Sequence, residues 1–325
     1  MSSEDVNLKL DLNTGGTNAA AGKEEQQPEA LELSYRYDAL READVNNLPS
    51  TERPTLVTLF GISECGKTTF VGSLFAILRR RPTLLNATFI DSDTLTGFER
   101  RVHLRFLSES GQSVIQRTLR KAGSLLNVVI SDENGENPHM FIVSDLAGEV
   151  YKDAISNRDL VLQQQAVKYA DKLVVFVDVE ALLNVKTYNS YKSNFKSLLN
   201  RFKENNMFPA EAEVFLAFNK CDKISTIANE STQAESGETD ETQKEEFLKL
   251  WEAKKKSMVE IAKEMLPIAD DHILNVNSLG IQVGDEDEGL INLFKHLLRK
   301  KETKQLPSAF NWLHNVSKTD CDESN

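Results

Sequence analysis

The chain has 325 residues, 40% hydrophobic and 27% charged, enough for one large domain or two small ones with a real core. Its formal net charge of −12 argues against a nucleic-acid backbone or an anionic membrane surface as a partner, because like charges repel. No apolar run approaches the roughly 18 residues that cross a bilayer, and the N-terminal stretch lacks the apolar core of a signal peptide. Cys65, Cys221 and Cys321 are too scattered for a disulfide framework or a metal knuckle. A cytoplasmic protein with free thiols is expected.

Residues 1–35 are polar, rich in Gly, Asn, Glu and Gln, and without periodicity, so a disordered N-terminal arm is expected there. Residues 36–300 form the expected α/β domain. Apolar β-rich runs predict strands over 56–61, 86–92, 126–131, 140–146, 173–179, 213–219 and 272–278. Amphipathic stretches predict helices starting at Gly66, Gly97, Ser156, Asn189, Thr242 and Glu288. Strands that alternate with helices imply a mostly parallel central sheet with helices on both faces. The runs at 126–131 and 140–146 flank Asn134-Gly135, a hairpin signal, so one strand is expected to run antiparallel. The stretch 225–246 is polar and acidic with few large apolar residues, and reads as an exposed loop insertion. Residues 301–325 read as a polar C-terminal tail.

Three short stretches carry chemistry, each just past an expected strand. The first, "GISECGKTTF" at 61–70, fits G-x-x-x-x-G-K-[ST]. A glycine-permitted turn lets successive backbone N–H groups point inward at phosphate oxygens, and the helix that follows adds its positive end. Gly61, Ser63, Glu64, Cys65, Gly66, Lys67, Thr68 and Thr69 are the expected phosphate contacts. Ser63 and Glu64 contribute backbone only, and Cys65 is expected to be a small buried residue. Lys67 would reach the outer phosphates, and the Thr68 hydroxyl would ligate Mg²⁺.

The second stretch, "FIVSDLAGE" at 141–149, gives D-x-x-G as Asp145-Leu146-Ala147-Gly148. Asp145 can hold Mg²⁺ through a water, and Gly148 can bring a backbone N–H close to the terminal phosphate. The third, "FNKCDK", gives N-K-x-D as Asn219-Lys220-Cys221-Asp222. A carboxylate at Asp222 can accept two hydrogen bonds, from guanine N1–H and the 2-amino group. Adenine offers neither, so a buried Asp222 would be left unpaired and ATP rejected. Asn219 can tie the base end to the phosphate end, and the Lys220 stem can cover the ring face. Ser278 and Leu279, at the next strand end, could support the guanine oxygen through a backbone N–H.

The order of these motifs, from Leu56 to Leu298, resembles the translation-factor and Ras-like class of P-loop GTPases. The segments "GISECGKTTFVGSLF", "DSDTLTGFERR" and "VSDLAGEVYKDA", with "YADKLVVFVDVEALL" after them, resemble the bacterial double-GTPase families. That resemblance implies the P-loop NTPase fold, GTP or GDP with Mg²⁺ as ligands, and regulation by nucleotide state. It also implies a protein effector or regulator that reads this state, in a bacterial conflict or defence system. A threonine of "DTLTG" would close over Mg²⁺ and the terminal phosphate; Thr94 is favoured, with Thr96 second.

Two departures from Ras-like proteins bear on the reaction. Glu149 stands where they carry Gln to orient the attacking water. Its carboxylate either orients or deprotonates that water, against a developing negative charge, or faces solvent. Slow intrinsic hydrolysis is expected. The region between the cradle and Asp145 is also longer and rich in arginine. Arg100 and Arg101 have two readings, a finger in cis or a solvated helix face, and the second is favoured. The leading function is a GTP-hydrolysing switch. The alternatives are a guanine-nucleotide-binding regulatory scaffold with negligible hydrolysis, and a P-loop ATPase or nucleotide kinase.

Overall fold

The computed structural model describes residues 38–41, 44–45, 48, 53–109, 125–233, 241–279 and 287–300. The arm expected over 1–35 and the tail expected over 301–325 lie outside the described residues. Seven strands form one sheet: β1 (Thr55–Phe60), β2 (Thr88–Asp91), β3 (Leu125–Ser131), β4 (His139–Ser144), β5 (Lys172–Asp178), β6 (Glu213–Asn219) and β7 (Ile273–Val276). Their spatial order is β2-β3-β4-β1-β5-β6-β7. All seven fall where the apolar runs predict them. Only β3 runs against the rest: it pairs antiparallel with β2 and β4, and the remaining pairs are parallel. Asp132 closes the β3–β4 hairpin by accepting the backbone N–H groups of Asn134 and Glu136, while Gly135 turns at φ 80°.

Ten helices connect or flank the described strands: α1 (Lys67–Arg80), α2 (Leu95–Glu109), α3 (Gly148–Ala154), α4 (Arg158–Leu162), α5 (Gln165–Lys168), α6 (Val179–Leu183), α7 (Tyr188–Glu204), α8 (Asp222–Gln233), α9 (Glu241–Met265) and α10 (Glu288–Leu297). The sheet is apolar on both sides, and its alternation sorts the side chains into two cores. On β5, Val174 and Phe176 join Val57 and Leu59 of β1 under α1, α2 and α10. Leu173, Val175 and Val177 point the other way, with Phe60 and Phe218, under α3 to α7 and α9. The result is an α/β P-loop fold with a mostly parallel sheet and helices on both faces.

Two expectations need correction. The single helix expected from Ser156 is two short pieces, α4 and α5, and a further short helix, α3, precedes it. Asn157 restarts the chain as the N-cap of α4, accepting from the N–H groups of Asp159 and Leu160. The stretch 225–246, expected as a loop, is helical on both sides of 234–240, in α8 and in the start of α9. The polar composition hides a narrow apolar face. Ile224 and Ile227 pack against the second core, and Ala228 is buried beside them. Among the described residues no helix is long and apolar enough to cross a membrane.

At the strand ends opposite the site, Lys172 is buried at the start of β5, where its amine caps the last turn of α10 by donating to the His296 and Arg299 carbonyls. Burial, opposed by Glu213, pushes this amine down to about 8 from the ordinary 10.5. Below about pH 8 the folded chain therefore holds a buried charge that the unfolded chain solvates. Between about pH 8 and 10.5 the unfolded chain binds more protons, so stability rises with pH by up to about 3 kcal/mol. Urea unfolding at pH 8 and pH 10 should show this rise, and Lys172→Met should lack it. An identical slope in both proteins would remove Lys172 as its source.

Candidate functional site

Parallel strands present their carboxyl ends at one edge of the sheet, where ligands of open α/β sheets bind. Here the loops after β1, β4, β5, β6 and β7 meet at that edge. The first runs from Gly61 to Gly66 and leads into α1. Gly66 sits at φ 88°, ψ 18°, in the left-handed region, and α1 begins with no side-chain cap and no acidic residue in its first turn. A Cβ on Gly66 would fall 2.1 Å from Asn219 Nδ2, so the position excludes any larger residue. The Ser63 hydroxyl is buried with no hydrogen-bond partner. An uncapped helix start beside an orphaned donor is a site built for an anion.

Lys67 lies buried in this loop, its amine donating to the carbonyl oxygens of Gly61 at 2.7 Å and Ile62 at 3.1 Å. Its Nζ also stands 5.5 Å from the centre of the Tyr151 ring, whose hydroxyl donates to the Leu59 carbonyl. Burial, opposed by the Lys67 charge, pushes the Cys65 thiol up, so Cys65 is a small buried thiol rather than a thiolate. Glu64 is exposed and sits at φ 68°. Thr68 and Thr69 follow in the first turn of α1, both half-buried.

The ends of β6 and β7 are held to the loop before α1 by one side chain. Asn219, the last residue of β6, donates from Nδ2 to the Cys65 carbonyl at 2.9 Å. Its Oδ1 accepts from the Ser278 N–H at 3.1 Å and the Ser278 hydroxyl at 2.8 Å. It therefore fastens the phosphate loop to the loop after β7. Leu279 donates its N–H to Asn277 Oδ1, so the backbone donors of both Ser278 and Leu279 already have partners within the protein. Asp222 opens α8, half-buried, and no described residue donates to its carboxylate. The Asp287 carboxyl is raised by burial and, to a lesser extent, by the Asp222 charge, against three backbone N–H groups.

Lys220 adopts φ 68° and reaches back across the strand ends, donating to Asp178 Oδ2 at 2.8 Å and Glu180 Oε2 at 3.0 Å. Burial works against its charge, but the two carboxylates outweigh it and hold the amine above its ordinary value. Asp178 and Glu180 escaped the sequence reading. Two acidic residues at the end of the strand beside N-K-x-D are the signal that could have found them.

The third part of the site surrounds Asp145. Its carboxylate is fully buried, with Thr68 Oγ1 donating to Oδ1 at 3.2 Å and Arg101 Nε donating to Oδ2 at 2.7 Å. Thr68 and Asp145 are thus together, as the motifs require. Thr94 is elsewhere engaged. It is buried, donates to Asn127 Oδ1 at 3.2 Å, and accepts the Asn127 N–H at 3.0 Å. Thr96 is exposed. Gly148 packs against the phosphate loop so closely that a Cβ would fall 2.5 Å from the Ser63 backbone. Glu149 is half-buried in the first turn of α3.

Arg100 and Arg101 separate sharply. Arg100 is exposed and pairs with Asp38, whereas Arg101 is 8% exposed and pairs with the fully buried Asp145. The solvated-face reading holds for Arg100 and fails for Arg101. Periodicity could not distinguish them, because neighbouring residues on a helix lie only about 100° apart and both border the buried face.

A family model described as Double-GTPase 2 matches residues 55–269, well over half of the chain. No curated protein matches it.

Proposed function

The chain belongs to the Double-GTPase 2 family, and from that premise we propose that it is a molecular switch whose GTP state orders two segments for a protein partner. Family membership carries guanine-nucleotide binding and GTP hydrolysis. The proposal adds what moves and what reads it. The observation that supports it most is Asn219, which ties Cys65 of the phosphate loop to Ser278 beside the base end. Phosphate and base recognition are mechanically one unit in this chain. The loop after β4, through Gly148, rests directly on that unit.

The residues at Asp145 fit Mg²⁺. A hydroxyl and a carboxylate are hard oxygen donors, and Thr68 and Asp145 already converge. With nucleotide bound, the metal would be held by Thr68 and, through water, by Asp145, and would neutralise phosphate charge. The chain's own residues do the rest. Lys67 leaves the Gly61 and Ile62 carbonyls for phosphate oxygens, Asp222 accepts the two guanine donors, and Lys220 lies across the ring. The segment around 91–101 and the segment 146–158 are the ones that change with nucleotide state.

Glu149 favours a second reading, a guanine-nucleotide scaffold with negligible hydrolysis, because a carboxylate beside the terminal phosphate opposes the charge that develops there. Competition against a fluorescent GTP analogue, followed by single-turnover hydrolysis with Mg²⁺, tests both. GTP and GDP should displace the analogue, with ATP at least about 100-fold weaker. Slow release of phosphate, accelerated by a partner, supports the switch. No release under any condition supports the scaffold. Equal displacement by ATP would overturn the guanine assignment.

A further inference from the structure

The Arg101–Asp145 pair is the feature that the proposed function does not use. It joins residues 44 positions apart in the sequence, at 2.7 Å, with side chains 8% and 0% exposed. Arg101 also donates from Nη1 to the Gly97 carbonyl at 3.0 Å, which fixes the guanidinium against its own helix. A carboxylate buried this deeply needs a cation, since an unpaired charge there is strongly destabilising. Arg101 supplies that cation on Oδ2, while Oδ1 of the same carboxylate takes the Thr68 hydroxyl at the phosphate loop.

The helix that carries Arg101 is itself strapped down. Gly72 of α1 lies so close that a Cβ would come within 2.9 Å of the Arg101 carbonyl oxygen. On the other side, the Asp38 carbonyl oxygen presses on Gly97, 1.6 Å from where a Cβ would stand. Asp38 also accepts from Arg100 Nη1 at 2.6 Å. Leu40 then exchanges both backbone hydrogen bonds with Leu125, at 2.7 and 3.2 Å. Leu125 pairs in turn with Ser144, the residue before Asp145. The segment at 38–40 therefore fastens α2 to β3, the neighbour of the strand that leads to Asp145.

We propose that Arg101 is a positioning residue that holds the place of the divalent cation at Asp145. In this account, nucleotide-borne metal must displace the guanidinium and release α2 from its strap. The inference rests on the proposed function, because the incoming cation is the one that accompanies the guanine nucleotide. A guanidinium 2.7 Å from Oδ2 and a hydrated divalent cation drawn to the Oδ1 side of the same buried carboxylate stand close enough to repel each other strongly. The protein therefore has two states, Arg101 on and Arg101 off, and the metal binds only the second. Its apparent affinity is lowered by the fraction of chains in the first. The same linkage makes the position of α2, and not only the phosphate, a report of metal-nucleotide occupancy.

The test uses the full chain and reads binding rather than turnover. Fluorescent GDP is bound in EDTA, and Mg²⁺, or Mn²⁺ followed by its electron paramagnetic resonance, is titrated in. Arg101→Gln should bind the divalent cation about tenfold more tightly or better, and Arg101→Lys should return most of the way to the native value. Arg100→Gln, which loosens the strap and leaves the buried pair intact, should shift the affinity in the same direction by a smaller factor. It also covers the case in which Arg101→Gln does not fold. In the native chain, hydrogen exchange across α2 should quicken when Mg²⁺ and nucleotide are added together, but not with nucleotide in EDTA. An unchanged or weaker cation affinity in both variants, with α2 exchange insensitive to metal, would overturn the inference while nucleotide binding stands. A chain that binds no guanine nucleotide at any Mg²⁺ concentration would overturn the proposed function, and this inference with it.

Discussion

Lys67→Met is expected to weaken GTP and GDP binding by on the order of 10²–10³-fold while leaving the fold intact. The magnitude follows from the chemistry of the cradle. The backbone N–H groups of the loop and the start of α1 offer partial positive charge, whereas Lys67 offers a full one, and a charge-assisted hydrogen bond to phosphate is roughly twice as strong as a neutral one. The amine is already in the loop, on the Gly61 and Ile62 carbonyls, so little rearrangement is needed to engage a phosphate. Methionine keeps the apolar stem beside Tyr151 and removes only the charge. Titration calorimetry with GDP, alongside thermal unfolding, separates the two effects. Native affinity in the variant would mean that the loop does not hold phosphate. Lost affinity together with a large fall in the unfolding midpoint would mean that Lys67 is structural.

Asp222→Asn should move the preference of the site from guanine towards xanthine nucleotides. GTP affinity should fall by on the order of 10²–10³-fold, because a carboxylate accepting two hydrogen bonds is replaced by an amide that presents a donor to one of them. Xanthine carries a carbonyl where guanine carries the amino group, so it suits the amide. The variant should fold normally. Asp222 is the first residue of α8, where replacing the carboxylate costs only about 0.3–1 kcal/mol of helix-dipole stabilisation, and no described residue depends on it for a hydrogen bond. Removing its charge should also slightly relieve Asp287, whose carboxyl is raised first by burial and then by the Asp222 charge. Competition of GTP and XTP against a fluorescent analogue is the measurement. Unchanged selectivity would show that Asp222 does not read the base.

Much of this site was legible before any coordinates. Gly66, Lys67 and Thr68, Asp145 and Gly148, and Asn219 to Asp222 all lie just past strands whose apolar runs are unmistakable, and the parallel sheet brings those strand ends together. Asn219 was expected to bridge the two ends of the site, and it does so through Cys65 and Ser278. Other parts were not legible. The backbone donors of Ser278 and Leu279 are used within the protein. Thr94 bonds to Asn127, 33 residues away. A motif specifies residue types at short spacing, and these contacts join segments whose separation no motif constrains.

What the sequence determines by itself is the period of each segment and the chemistry at its ends. Hence the seven strands, the single antiparallel member and the glycine-bounded loop before α1 could all be read from it. Only the tertiary structure decides which of two adjacent arginines is buried, and onto what. Arg101 reaches Asp145 because α2 packs tightly on Gly72 and is held there by Asp38, an arrangement set by close backbone contact over long separations. The same holds for α8, whose few apolar residues become a helix face only once the second core is there to receive them. Local sequence fixes what a segment can bury; the partner that buries it is chosen by packing, where a contact is worth its free energy only after distant parts of the chain have met.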